Sequence, residues 1–134
     1  SIGLASILRS ELIEKFENIY NILSTFYGKE PLINIIAWYA IDSTKHGEDD
    51  EVVAWNCVIF LRSKHRPDCY YNQGGKGLLI SPAVAEMGGV FPIIREEDMD
   101  KLNTKEIIDI YKEISLSPEQ FETLCDELFR KDEV

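Results

Sequence analysis

The chain has 134 residues, a formal net charge of -10, 45% apolar and 28% charged side chains. This describes one globular domain, 1–134, able to bury roughly two-thirds of the surface its unfolded chain exposes, and it excludes a disordered or disulfide-stapled peptide. No apolar run approaches the ~20 residues that span a bilayer; the longest, Leu32–Ile41, is interrupted by Asn34.

No basic stretch followed by an apolar core opens the chain, so no signal peptide is expected; Ser1 fits removal of an initiator Met or trimming. The ending Lys131-Asp132-Glu133-Val134 resembles an ER-retention tail but has Val where Leu is required. Cys57, Cys69 and Cys125 are odd in number and lack CxxC spacing. They suit a reducing compartment, and a cytoplasmic location is expected.

In chain order, Leu8, Leu12, Phe16, Ile19, Leu23 and Phe26 recur at helical spacing and predict one long amphipathic helix over residues 4–27, stopped by Gly28 and Pro31. Leu32–Ile41 and Val52–Leu61 are rich in Ile, Val, Trp and Tyr and apolar on both faces. They suit central strands covered on each side, with a buried helix as the alternative. A hairpin centred on His46-Gly47 in the Asp42–Glu51 linker would set Trp38 opposite Trp55. A polar loop over Arg62–Lys76 follows, then a short strand at Gly77–Ile80. A helical turn capped by Ser81-Pro82 would run through Met87, and Val90–Ile94 would form an edge strand containing Pro92.

Two C-terminal helices close the pattern. Asn103 with Glu106, and Ser117 with Pro118 and Gln120, have capping-box spacing. Their stripes are Ile107, Ile110, Tyr111 and Ile114, and Phe121, Leu124, Cys125, Leu128 and Phe129. The expected fold is therefore α+β: a long N-terminal helix, a small mostly antiparallel sheet and a C-terminal helical hairpin packed on it.

His65 and Cys69, four apart with Asp68 beside them, supply too few ligands for a structural metal site, so no metal and no cofactor is expected. Cys57 and Cys125 lie on apolar stripes; only Cys69, near His65, is placed to be reactive, and no catalytic residue is assigned. Asn72-Gln73-Gly74-Gly75-Lys76-Gly77 lacks the earlier glycine and the Ser or Thr of a P-loop and reads as a turn. Arg62, Lys64, His65 and Arg66, with Tyr70 and Tyr71, form a basic island too small for nucleic acid on so acidic a protein.

Charge is polarised along the chain. Residues 1–95 carry 11 acidic and 9 basic side chains, and residues 96–134 carry 13 and 5. Glu96, Glu97, Asp98 and Asp100 form a tight run, and Glu119, Glu122 and Asp126 share one helical face. Like charges at that spacing cost about 0.2 to 0.5 kcal/mol per pair, and acids near a helix C-terminus oppose its dipole. These seven residues are the candidate partner-binding set, which Glu48-Asp49-Asp50-Glu51 would extend. The expectation is a binding protein, not an enzyme, that docks a basic partner protein and contacts neither membrane nor nucleic acid.

An acidic run at Glu96–Asp100 and an acidic face at Glu119, Glu122 and Asp126, on one α+β domain without catalytic motifs, resemble the bacterial immunity proteins of contact-dependent growth inhibition and related polymorphic toxin systems. The resemblance implies a cytosolic inhibitor that occludes a cognate toxin, frequently a nuclease. Two alternatives remain: a small-molecule binding or catalytic domain using the 62–76 loop, and a nucleic-acid mimic whose carboxylates stand in for phosphates.

Overall fold

A computed structural model describes residues 1–41, 53–72 and 77–130. The turn expected around His46-Gly47, the acids Glu48–Glu51, Gly74-Gly75-Lys76 and the Lys131–Val134 segment lie outside the described residues.

The chain opens with a strand, β1 (Ile2–Ser6), not with a helix. Gly3 is a poor helix former, and Ile2 and Leu4, two apart, fit a strand as well as they fit a helical stripe. Pairing decides between them. β1 runs antiparallel to β3 (Val53–Leu61), with Ile2 opposite Ile59 and Ser6 opposite Trp55. Helix α1 (Arg9–Tyr27) begins only after it. Ser6 Oγ donates to Glu11 Oε2 at 2.6 Å and Lys15 Nζ to Ala5 O at 3.0 Å, which ties the strand to the helix that follows. Gly28 closes α1 at φ 65°, its N–H donating to Thr25 O; glycine reaches this left-handed conformation without the Cβ clash other residues suffer.

β2 (Ile33–Ile41) pairs with the other side of β3, so the sheet order is β1-β3-β2 and only β3 is central. This corrects the reading of both apolar runs as central strands: Ile35, Trp38 and Tyr39 of β2 are exposed. The register is one residue away from the expected one. Tyr39 faces Trp55, with ring centroids 5.1 Å apart, and Trp38 faces Asn56. A shift of one residue exchanges the faces of the whole strand.

Strand alternation divides β3 between two sides. Cys57, Ile59 and Leu61 join Leu12, Leu23 and Leu124 in the main core, so α1 and α5 (Pro118–Arg130) cover this face. A second cluster holds Leu78, Ile80 and Ile110, with Cys69, Phe91 and Leu102 packed against it. It is built by the irregular segment after the sheet and by α4 (Thr104–Ile114), with two single-turn helices between, α2 (Val84–Met87) and α3 (Glu96–Met99). Gly77–Ile80 and Val90–Ile94 are not strands. Leu78 donates its N–H to Cys69 O at 3.1 Å and buries its side chain without joining the sheet.

Both C-terminal helices carry closed capping boxes. Asn103 Oδ1 accepts from the N–H groups of Lys105 and Glu106, and Ser117 Oγ from that of Gln120. The expected hairpin is nevertheless absent, because α4 and α5 do not pack on each other. Leu124 on α5 turns to the α1–β3 core, while Ile110 on α4 turns to the second cluster. Between the helices, Ser115 bridges to Arg62, and Leu116 N–H reaches Leu61 O at 3.4 Å, so the chain crosses the end of β3 and separates them. The long N-terminal helix with a C-terminal hairpin is thus replaced by a strand-first, three-stranded antiparallel sheet with α1 and α5 together on one face.

Candidate functional site

Arg62 follows the last residue of β3 and is the hub of this end of the molecule. Its N–H donates to Leu32 O at 2.9 Å, and its carbonyl accepts from Tyr27 Oη at 2.7 Å. The even-numbered alternation of β3 sends its side chain away from the main core, to the face that also holds Asn34. Nη1 donates to Asn34 Oδ1 at 3.1 Å and to Pro82 O at 2.7 Å, and Nη2 donates to His65 O. Only 5% of the residue is exposed. Burial pulls the guanidinium below its usual pKa, and the charge of Glu86 partly opposes this. Glu86 spends Oε2 on the N–H of Ala83, at 2.7 Å. Among the described residues, Arg62 Nε has no hydrogen-bond partner.

Arg62 forms part of the wall of a cleft of about 490 Å³ with Asn34, His65, Arg66, Tyr71 and Ser81. Arg66 is aimed by two contacts: Nε donates to Ser81 Oγ at 3.0 Å, and the guanidinium carbon lies 4.2 Å from the centre of the Tyr70 ring. The described lining contains two guanidinium groups, an imidazole, an amide and two hydroxyls, and no carboxylate. A larger groove of about 1040 Å³ runs between β1, α1 and the end of α5, but its lining is mainly apolar. Charge converges in the smaller cleft, which makes it the candidate site.

The rest of the basic island is used internally. Lys64 Nζ lies 2.8 Å from Asp68 and 2.5 Å from Glu113, and Glu113 also accepts the Asp68 N–H at 2.8 Å. Asp68 therefore faces a lysine. Cys69 packs into the second cluster, where burial, and then the charge of Glu113, push its thiol pKa up and disfavour the thiolate. Burial likewise raises that of Cys57. Among the described residues, no group of three or more His, Cys, Asp or Glu side chains is placed to hold a metal ion.

The acidic candidates divide. Glu96, Glu97 and Asp100 are exposed at the α3 turn, and Glu119, Glu122 and Asp126 are exposed along α5. Asp98 is 1% exposed and belongs to the architecture: it accepts from Arg95 Nε at 2.8 Å, from Arg95 Nη2 at 2.9 Å and from the Leu79 N–H at 3.1 Å. Those bonds hold its carboxyl below the usual range. The cleft itself draws on residues the acidic pattern did not single out. Asn34 and Ser81 come from outside the 62–76 loop, and Asn34, the lone amide in an apolar run, was the available signal for them.

Residues 54–133, more than half of the chain, match the family described as GDPGP1-like, C-terminal domain. No curated protein and no solved structure matches. The family match overturns the resemblance to toxin-immunity proteins and, with it, the inhibitor function and the bacterial setting. Surface acidity misled here because it is a property of many unrelated soluble domains. No helix of the described residues is long and apolar enough to cross a membrane.

Proposed function

The chain belongs to the GDPGP1-like, C-terminal domain family, and from that premise we propose that it is an enzyme-associated domain serving a GDP-glucose phosphorylase-type reaction. In that reaction GDP-glucose and phosphate are converted to GDP and glucose 1-phosphate. The domain contributes a folded wall and a cationic cleft, and by itself it does not turn over substrate. The family match carries this reading. The cleft of Arg62, Arg66 and Ser81 supports it, because every substrate and product of such a reaction is a phosphate-bearing anion.

A cytoplasmic setting belongs to the same reading and is supported by three free thiols in one domain. The exposed acids Glu119, Glu122 and Asp126 would then meet a basic face elsewhere in the enzyme, where complementary charge favours association.

The test is complementation. The chain is added to a GDPGP1-like enzyme from which the C-terminal domain has been removed, and phosphate-dependent release of GDP from GDP-glucose is followed. The expected result is no release by the chain alone and restored release by the mixture. Turnover by the chain alone would overturn its accessory role. Failure both to restore turnover and to associate would overturn the reading as a whole.

A further inference from the structure

We propose that the outer edge of β2 is a pairing surface for a second copy of this chain, the two strands running antiparallel about a twofold axis at Ala37. The sheet order β1-β3-β2 leaves two edges, and they differ in kind. Arg62 N–H donates to Leu32 O, and bonded pairs in an antiparallel ladder recur at every second residue. The register therefore turns the backbone groups of even-numbered β2 residues toward β3, and those of Ile33, Ile35, Ala37 and Tyr39 outward. By the same alternation the outward groups of β1 are those of Gly3 and Ala5.

β1 is short and partly closed. It has five residues, and Lys15 Nζ already takes the Ala5 carbonyl at 3.0 Å. β2 has nine residues without a charged side chain or a proline, and its unbroken pairing with β3 contains no bulge. Among the described residues nothing bonds to its outward N–H and C=O groups. Folded proteins shield an exposed edge with lysine, proline or a bulge. β2 has none of these, and its Ile35, Trp38 and Tyr39 are 39%, 43% and 60% exposed.

The strand is complementary to itself. With Ala37 on the axis, Ile35 falls opposite the second copy's Tyr39, and outward donors meet outward acceptors along the strand. On the other face Ile36 falls opposite the second copy's Trp38. Aliphatic and aromatic side chains placed opposite each other in this way stabilise a pair of strands, and the small Ala37 at the centre meets only another alanine. Charge selects the occupant as well. Each copy carries -10, so two copies repel over most of their surface, but β2 brings no charge to the contact. A basic partner would find no acid on this strand, and an acidic partner no base. The contact is a narrow strip, about 30 Å long and about 10 Å wide. It falls short of the roughly 800 Å² per partner of a standard interface. The dimer is therefore reversible, half-formed at about 10 to 100 μM.

The experiment is sedimentation equilibrium on the full chain from about 1 to about 300 μM. A monomer–dimer equilibrium is expected, tightening as salt screens the repulsion between copies. Ala37 is exposed. Ala37→Lys and Ala37→Glu each set like charges against each other across the axis and should weaken dimerisation about tenfold or more, with circular dichroism unchanged. Mixed in equal amounts, the two variants should form a heterodimer at least as tight as the parent dimer, because only at a twofold axis does residue 37 meet itself. A parent that stays monomeric over the whole range overturns the proposal. So does a dimer that both variants form as readily as the parent, or a mixture of the variants that fails to associate. A monomeric chain that binds the remainder of a GDPGP1-like enzyme through β2 also overturns it, and assigns the edge to a strand of that enzyme. No turnover is measured, so failure here leaves the family reading standing.

Discussion

Arg62 donates through Nη1 to Asn34 Oδ1 at 3.1 Å, joining the end of β3 to the start of β2 from 28 positions away. Asn34 sits in an apolar strand, and Arg62 directly follows another. Each would be costly to bury alone, and each satisfies the other.

That mutual dependence is measurable. Arg62→Met removes the donor to three acceptors and should cost about 2 to 4 kcal/mol, because buried oxygens at Asn34, Pro82 and His65 lose a charged partner. Asn34→Ala should cost about 1 kcal/mol. Urea unfolding of the two single variants and the double variant checks both values. Since they share one network, the double variant should cost less than the sum.

Helix α5 belongs to α1 and not to α4. Leu23 and Leu124 lie in one core cluster and Ile110 in the other. Leu124→Ala should destabilise by about 2 to 5 kcal/mol. Combined with Leu23→Ala it should be non-additive, and combined with Ile110→Ala it should add to within about 0.5 kcal/mol. Strong coupling between positions 110 and 124 would restore the hairpin.

Two glycines differ in kind. An alanine at 28 meets no atom within 4 Å but inherits φ 65°, a left-handed strain of about 1 to 2 kcal/mol. At 77 the new Cβ would lie 2.1 Å from the carbonyl oxygen of Asn72. Because that atom is backbone, the loop beside the cleft must move. Thermal unfolding should show Gly77→Ala as the more damaging change.

Acid stability should depend on Asp98. The bonds from Arg95, chiefly, and from the Leu79 N–H hold its folded pKa below the ordinary 3.8. Its stabilising effect is therefore present above that value and is lost as pH falls through the lower folded value. Asp98→Asn should be less stable than the parent at pH 7, and the difference should narrow between about pH 4 and pH 2. Denaturant midpoints across that range test the sign.

Cys69 should be sluggish. Its pKa is raised by burial and by the neighbouring acids Glu113, Asp68 and Asp98, and the thiolate is the reactive form. At pH 7 iodoacetamide should modify it more slowly than an unstructured cysteine peptide, as followed by mass spectrometry. Faster modification would revive a nucleophilic role for the loop.

What the sequence determined by itself is what neighbouring residues decide. The stripe from Leu8 to Phe26 marks α1, although only from Arg9 onward is it helical, and the boxes at Asn103 and Ser117 place the starts of α4 and α5. Periodicity and capping act within a few residues, so they can be read without knowing what lies opposite. The tertiary structure decided everything that depends on a distant partner. Five residues at the N-terminus became β1 because β3 offered an open edge, and the register set Tyr39 against Trp55. The two C-terminal helices parted because the chain between them crosses the end of β3. Asp98 left the acidic surface because Arg95 and Leu79 satisfy it inside. The cleft gathers Asn34, Arg62, Arg66 and Ser81 from three separate stretches. Free energy there depends on which distant donors and acceptors meet out of water, and linear spacing does not record that.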